Sequence, residues 1–214
     1  MSLPNGVTLA LATTYAAADT VSAVTNASPA VATTSSSHGI STGNYLEVTS
    51  GWSRLNNRIV RAASASGTTV TYEGYDSSST TTHPVGTGTG SVREITAWTQ
   101  ISQIMGASST GGDMQFVQYS FLEQDFQSQL PTEASPVTIT LDIADDPTLA
   151  GYQALDAAAD ARTPYALRMT MPDGSKIYLY GYISFNKVPV MNKGQVMTVR
   201  ATFSLLNEPT RYTS

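Results

Sequence analysis

The stretch VMTVRATFSL, Val196 to Leu205, sets Met197, Val199, Ala201, Phe203 and Leu205 on one side of an extended chain and Thr198, Arg200, Thr202 and Ser204 on the other. Successive side chains of a β-strand point to opposite faces, so this alternation predicts a strand with one face in a core and one polar face. The same pattern occurs where Val137, Ile139, Leu141 and Ile143 alternate with Thr138, Thr140 and Asp142. It returns in the segments YALRMTM and KIYLYGYISF, which flank Pro172-Asp173-Gly174-Ser175. In that turn Pro presets φ and Gly accepts the left-handed conformation, so the pair reads as a hairpin. Its second arm puts Ile177, Leu179, Ile183 and Phe185 on one face and Tyr178, Tyr180 and Tyr182 on the other, so both faces offer contact surface.

Outward from these strands, Val7 to Thr14 reads as a first strand and an Ala-rich passage leads to Val21. A Ser/Thr/Gly-rich block follows, from about Val24 to Val92. Its short strand candidates SPAVATT, NYLEVTS, NRIVRAA and TTVTYEGY are separated by turn signals at His38-Gly39, Thr42-Gly43, Ser50-Gly51, Ser66-Gly67 and Asp76 to Thr82. Such spacing predicts a small, self-contained β-barrel or sandwich, with the GTGTG run at Gly86 to Gly90 as a flexible exit hinge. Beyond it SVREITAWTQISQIM reads as one strand, GASSTGGD as a loop, MQFVQYSFL as a strand and EQDFQSQLPTEAS as a polar connection. One helix is expected, with Asp146 as N-cap, Pro147 at its first position and an apolar stripe of Leu149, Tyr152, Leu155 and Ala159 ending near Asp160. The fold class is therefore mainly β (α+β).

The 214 residues suffice for one large or two small domains, and 41% apolar content can fill a core. Only 13% of residues are charged, about half the usual share, so copies of the chain repel one another weakly. A net charge of −5 and eleven scattered basic residues argue against a nucleic-acid-binding groove, which needs clustered Lys and Arg. The absence of cysteine excludes disulfides and thiolate metal sites and fits maturation in a reducing cytoplasm. The first basic residue is Arg54 and the opening is broken by Pro4, Asn5 and Gly6, so the expectation is a soluble, unprocessed product without a secretory signal. No run approaches the roughly 18 apolar residues of a membrane helix.

No constellation for catalysis stands out. A Ser-His-acid hydrolase would have to use His38 or His83, and both sit beside turn residues, Gly39 and Pro84. Asp142, Asp145 and Asp146 suggest a calcium cluster, but Asp142 alternates outward on its strand and Asp146 suits a helix cap. The GTGTG run leads into a strand and lacks the spacing of a dinucleotide fingerprint. Trp52 and Trp98 are weighed as sugar-stacking platforms against ordinary packing. The expectation is a non-enzymatic protein with no cofactor and no metal.

Several of these segments together carry a resemblance: MSLPNGVTLALATTY, SVREITAWTQI, the IADDP helix entry, the PDGS hairpin and KGQVMTVRATFSLLNEPTRY. In this order and spacing they resemble the tail tube protein of long, non-contractile-tailed (lambda-like) phages, over most of residues 1–22 and 91–214. The block PAVATTSSSHGISTGNYLEVTSGWSRLNNRIVR with VTYEGYDSS is similar to small β-modules that decorate phage tail proteins, through His38-Gly39, Thr42-Gly43 and Asn56.

The resemblance implies a tail-tube-type β-sandwich or barrel with one packed helix, discontinuous over residues 1–22 and 91–214. A small β-barrel domain over residues 23–90 would be inserted on the outside of the tube, since a whole domain would block a narrow lumen. It implies a structural subunit that assembles into stacked hexameric rings whose inner sheets join into one barrel, the conduit for DNA ejection. Implied partners are other copies of the chain, the tape measure, tail terminator and distal tail proteins, and DNA in transient passage, with no membrane. The place is the virion, after assembly in the host cytoplasm. A carbohydrate- or receptor-binding tail module is the alternative. Within this frame Glu123, Asp125, Glu133 and Asp142 are candidate lumen-lining residues, because each lies in or beside a strand and outside the helix cap. The polar stretches Gly106 to Asp113 and Glu123 to Glu133, with Gln127 and Gln129 in the second, are candidate inter-subunit loops that order against a neighbour.

Overall fold

The computed structural model describes residues 6–36 and 38–213; Met1 to Asn5 of the opening segment lie outside the described residues. The fold is mainly β, as its sequence pattern predicts. Four short strands lie in the Ser/Thr/Gly-rich region, β3 (Val31–Thr34), β4 (Tyr45–Ser50), β5 (Arg58–Ser66) and β6 (Thr69–Tyr72), and β2 (Asp19–Val24), just ahead of it, joins them. The first half of the long strand β7 (Gly90–Ile101) pairs with both β4 and β2, which closes the order β2-β3-β6-β5-β4-β7 into an antiparallel six-stranded barrel. Its core holds Val21, Leu46, Val48, Trp52, Leu55, Val60, Val70, Tyr72 and Val92.

The GTGTG run is anchored at Gly88 and Gly90 and does not hang as an open hinge there, while Gly86 at its start is exposed. A Cβ on Gly88 would meet the Trp52 ring at 2.9 Å, and one on Gly90 would meet the Thr49 carbonyl oxygen at 2.0 Å. Close approach of ring and neighbouring strand is what these glycines permit.

The second half of β7 leaves the barrel and pairs with β1 (Thr8–Tyr15). From there a sheet runs through β12 (Tyr165–Thr170), β13 (Lys176–Val190), β14 (Thr198–Leu205) and β11 (Thr138–Ala144) to β8 (Ile104–Thr110). The apolar sides of these strands meet Leu155 and Ala158 of the helix α1 (Ala150–Ala161) in one core with Leu9, Leu11, Leu141, Leu179 and Phe203. No helix among the described residues is long and apolar enough to cross a membrane.

Four local expectations are corrected. SVREITAWTQISQIM is two strands, because Gln103 takes a left-handed φ of 57° and sends β8 across to pair with β11. The small residues Gly106 to Thr110 are strand, fixed by that ladder despite weak β propensity. EQDFQSQLPTEAS contains β10 (Ser128–Ala134), paired with β9 (Met114–Tyr119) as a separate two-stranded ribbon. The helix begins at Ala150 with Leu149 as its N-cap; Asp146, three residues before that cap, instead accepts at Oδ1 from Thr148 N (3.1 Å) and Oγ1 (2.6 Å), an Asx-type turn.

The barrel is mounted firmly on the sheet. The tyrosine face of β13 supplies the joint: Tyr178 and Tyr180 are buried with Ala12, Ile59, Ile95, Ala166 and Tyr212, and Tyr45 of the barrel stacks on Tyr178 at 4.2 Å. Only Tyr182, further along, is exposed. The C-terminal β15 (Thr210–Tyr212) pairs with the start of β13, and the Tyr212 hydroxyl accepts from Arg61 N of β5 at 2.8 Å. Asn207 Nδ2 donates to the Asn56 carbonyl at 2.6 Å.

Candidate assembly surface

Beyond Gly181, where the β12 ladder ends at Tyr165, β13 continues with β14, β11 and β8 as a four-stranded segment. One face of this segment is the apolar core. The other is built from cross-strand rows fixed by register. Tyr182, Ser204, Thr138 and Thr110 form the first row; Ser184, Thr202, Thr140 and Ser108 the second; Asn186, Arg200, Asp142 and Gly106 the third. Hydroxyls and an amide dominate this face, and its charges form one pair, Arg200 Nε donating to Asp142 Oδ1 at 2.9 Å. The segment has two free long edges: β8 ends the sheet, and β13 from Tyr182 to Val190 has β14 as its sole strand partner among the described residues. The β8 edge carries no charge and no proline, the features that normally block edge pairing.

At one end of this segment, past Thr110 and Thr138, the chain turns through Gly111 and Gly112 (φ 88° and 86°) into the β9–β10 ribbon. A Cβ on Gly111 would strike the Pro136 carbonyl oxygen at 2.0 Å, so glycine is required there. The root is held by Ser135 N donating to the Asp113 carbonyl at 2.9 Å and Gly112 N to the Ser135 carbonyl at 3.1 Å. Among the described residues β9 and β10 pair only with each other, as a sheet of their own. Met114, Phe116, Val117, Phe121, Phe126 and Leu130 are all at least half exposed, and Leu122 is fully so. At the opposite end, past Val190 and Thr198, the β13–β14 connection exposes Met191, Val196 and Met197.

The candidate residues fall into two groups. Asp142 stands on the polar face, whereas Glu123 and Asp125 occupy the ribbon's turn and Glu133 its second strand. Gly106 lies in β8 and Gln129 in β10, both as strand and not loop, while Asp113 and Gln127 flank the ribbon strands. The apolar character of the ribbon was readable in MQFVQYSFL, whose apolar residues occupy both strand faces; a strand of that kind needs cover on both sides.

The chemical candidates are dispersed. Asp142, Asp145 and Asp146 are engaged separately, by Arg200, by the Tyr152 hydroxyl (3.2 Å) and by Thr148, and hydrogen bonding to Thr148 holds Asp146 below the usual carboxylate range. His83 is buried, with the Tyr75 hydroxyl 2.9 Å from Nε2 and Thr82 Oγ1 3.0 Å from Nδ1. His38 Nε2 lies 3.2 Å from the Thr69 carbonyl oxygen. Trp52 is 1% exposed, donates from Nε1 to the Pro84 carbonyl at 2.8 Å and meets the His83 ring edge-on, which makes it barrel core and removes it as a stacking platform. Trp98 is half-buried beneath the Arg168 guanidinium, 4.8 Å from its ring.

Compared with known families, the chain matches the one described as phage tail tube protein, TTP, over residues 50–214. No curated protein matches it.

Proposed function

The chain belongs to the phage tail tube protein family, a structural component of the virion, and we propose that it builds the tube through the four-stranded segment. Copies close into rings, hexameric as the family resemblance implies, by pairing the β8 edge of one with the Tyr182–Val190 edge of β13 on the next. The strands of the segment alternate in direction, so a β8-to-β13 contact continues the antiparallel order. Contacts of this head-to-tail kind generate rings when the rotation closes.

The polar face of the segment then lines the lumen. It carries hydroxyls and a neutralised ion pair, with Asp142 as its acid, and Glu123, Asp125 and Glu133 continue the acidic character on the ribbon. A wall without free basic residues suits a conduit for DNA, because each Lys-phosphate contact releases counterions and retards passage. The barrel sits on the outside, an insertion of about residues 23–90 in a domain made of residues 1–22 and 91–214, with β2 and the first half of β7 closing it at the junction. Assembly takes place in the host cytoplasm, with tape measure, terminator and distal tail proteins as further partners.

The observation that carries this reading is the coincidence of two free edges with one polar face on the same four strands. Negative-stain microscopy of the purified protein tests it. Rings or tubes with an open centre are expected, and a protein that stays monomeric at high concentration would overturn it.

A further inference from the structure

We infer that the seam between barrel and sheet is a binding site for a phosphate-type oxyanion, held between Arg168 of β12 and Lys176 of β13. Register places both cations on the side of the sheet that carries the barrel. Gln100, Ala10, Arg168 and Tyr178 stand in one cross-strand row, and Thr8, Thr170 and Lys176 in the next. Neither row holds an acid. Arg168 and Lys176 are diagonal neighbours across adjacent strands, about 7–8 Å apart at their roots, near enough for two long side chains to converge on one group.

Elsewhere the chain neutralises its cations. Arg58, Arg61, Arg93, Lys187, Arg200 and Arg211 each meet an Asp or Glu of the same chain. Arg168 and Lys176 form no ion pair among the described residues, although both are half-buried. Aromatic rings line their inner side. The Arg168 guanidinium lies 4.8 Å from the centre of the Trp98 ring and Lys176 Nζ 6.0 Å from that of Tyr45. Tyr178 stands between, edge-on to Trp98 at 5.7 Å and stacked on Tyr45 at 4.2 Å. Two like charges beside rings that exclude water repel each other more than they would in open solvent, and a bound anion reverses the sign of that interaction.

Unmet hydrogen-bonding capacity at the same place points the same way. Tyr178 is 1% exposed and its hydroxyl has no hydrogen-bond partner among the described residues, and Arg168 Nε is likewise buried without an acceptor. Buried donors left unpaired are rare because each costs stability. An oxyanion brings the acceptor that both groups lack. Two cations match a dianion better than a single carboxylate charge, and the planar fork of a guanidinium accommodates two phosphate oxygens while an ammonium holds a third as a point charge. Because Tyr45 belongs to the barrel and Arg168, Lys176 and Trp98 to the sheet, occupancy also fastens one to the other.

The site lies within one copy, so its test needs no tube. Tryptophan fluorescence of the full chain is followed at about pH 8, where phosphate is a dianion, while sodium phosphate replaces sodium chloride at constant ionic strength. A saturable change is expected, with a rise in unfolding temperature over the same range of phosphate. Trp98→Phe should abolish the fluorescence change and keep the thermal shift, which assigns the signal to this seam and not to Trp52. Arg168→Gln and Lys176→Gln should each weaken binding at least about tenfold, the loss expected when one charged hydrogen-bond partner goes. Lys176→Arg should retain binding, and Lys193→Gln, in the β13–β14 connection, should leave it unchanged. Glycerol phosphate separates the sources of the group: affinity equal to that of inorganic phosphate identifies a phosphomonoester on a carrier as ligand, and weaker binding identifies the free ion. No saturable response from the wild type, acetate binding as tightly as phosphate, or an undiminished response from a folded Lys176→Gln variant would overturn the inference. Lys176→Gln carries that decision even if Arg168→Gln does not fold, because it removes a half-buried rim charge and no stacked ring.

Discussion

The barrel and the four-stranded wall are made from the same kind of alternating strand, yet one is finished and the other is not. In the barrel β2 and β7 meet, every strand has two neighbours, and the charges Glu47, Arg61 and Glu73 are paired, the buried Glu47 with Arg93 and Arg61 with Glu73. In the wall two long edges stay open among the described residues, and a largely exposed two-stranded ribbon projects from one end. A closed barrel removes its own edges, so it needs no second copy. The wall can remove its edges only by sharing them, which places the capacity for assembly in the wall and makes the barrel a rigid addition.

Removing the barrel is the most severe way to break this contrast. Deleting Asn26 to Gly88 behind a short Gly/Ser linker leaves β2 and β7 free to keep their own pairing, Val21 opposite Gly90. The wall should still fold and assemble. It should lose stability on the order of 5 kcal/mol, because Tyr178, Tyr180 and Tyr212 lose their cover from Tyr45 and Ile59. Thermal unfolding and microscopy check the two halves of this expectation, and an unfolded deletion product would mean that wall and barrel form one cooperative unit.

Leucines in the two kinds of environment sharpen the contrast at a smaller scale. Leu141 is 1% exposed in the wall's core and Leu130 is 55% exposed on the ribbon. Leu141→Ala should cost about 3 kcal/mol in chemical unfolding of the unassembled protein. Leu130→Ala should leave that stability within about 0.5 kcal/mol and lower the extent of tube formation. The reverse pattern would show the ribbon to be part of the monomer's own core.

Much of this division was legible in the sequence, and the parts that were not have physical causes. Alternation in Val137–Ile143, Ile177–Phe185 and Val199–Leu205 placed the core face correctly, because burial on one side of a strand imposes period two, whereas Val196 and Met197 precede β14 and are exposed. The PDGS turn was readable for the same local reason: Asp173 Oδ1 accepts from Ser175 N at 2.9 Å and Gly174 takes φ 83°. What failed depended either on strand partners far along the chain or, for Asp146, on a competing local turn that pattern alone does not rank. β8 is a run of small residues that becomes strand only because β11 lies beside it, and Asp146 was taken from the helix by Thr148. The destination of the tyrosine face was likewise hidden, since Tyr45 and Tyr212 lie 133 and 34 residues from Tyr178. The polar wall segment could be guessed, but its free edges could not, because strand order is a tertiary fact.

Two glycines at positive φ give a finer comparison. Gly67, in the β5–β6 turn of the barrel, has open space where a Cβ would stand, while Gly111 at the ribbon root has the Pro136 carbonyl oxygen 2.0 Å away. Gly67→Ala should cost about 1 kcal/mol from backbone strain alone. Gly111→Ala should cost about 1–3 kcal/mol and displace the ribbon, read as faster proteolysis within residues 113–134 and loss of tubes. Equal effects would mean that the ribbon root adjusts freely, against the close contact seen there.

The smallest expected effect is electrostatic and belongs to the barrel. Arg61 Nε donates to Glu73 Oε2 at 2.5 Å and Arg61 Nη2 bonds the other carboxylate oxygen, while the guanidinium lies 4.9 Å from the centre of the Tyr212 ring. Hydrogen bonding to Arg61, against a smaller opposing effect of burial, holds the Glu73 carboxyl below its usual 4.5. A carboxylate whose pKa is depressed by folding stabilises the folded state in full above its unfolded value and loses that contribution as pH falls through the folded value. The Glu73 side chain is 34% exposed, so solvent screening limits the pair to about 1 kcal/mol or less. Glu73→Gln should therefore lower the unfolding temperature slightly at pH 7, and the difference from the wild type should shrink as pH falls below about 4.5, where the wild-type carboxylate also begins to lose its charge. A difference between the two proteins that stays constant from pH 7 to strong acid would mean that the side chain acts through packing against β5 and not through its charge.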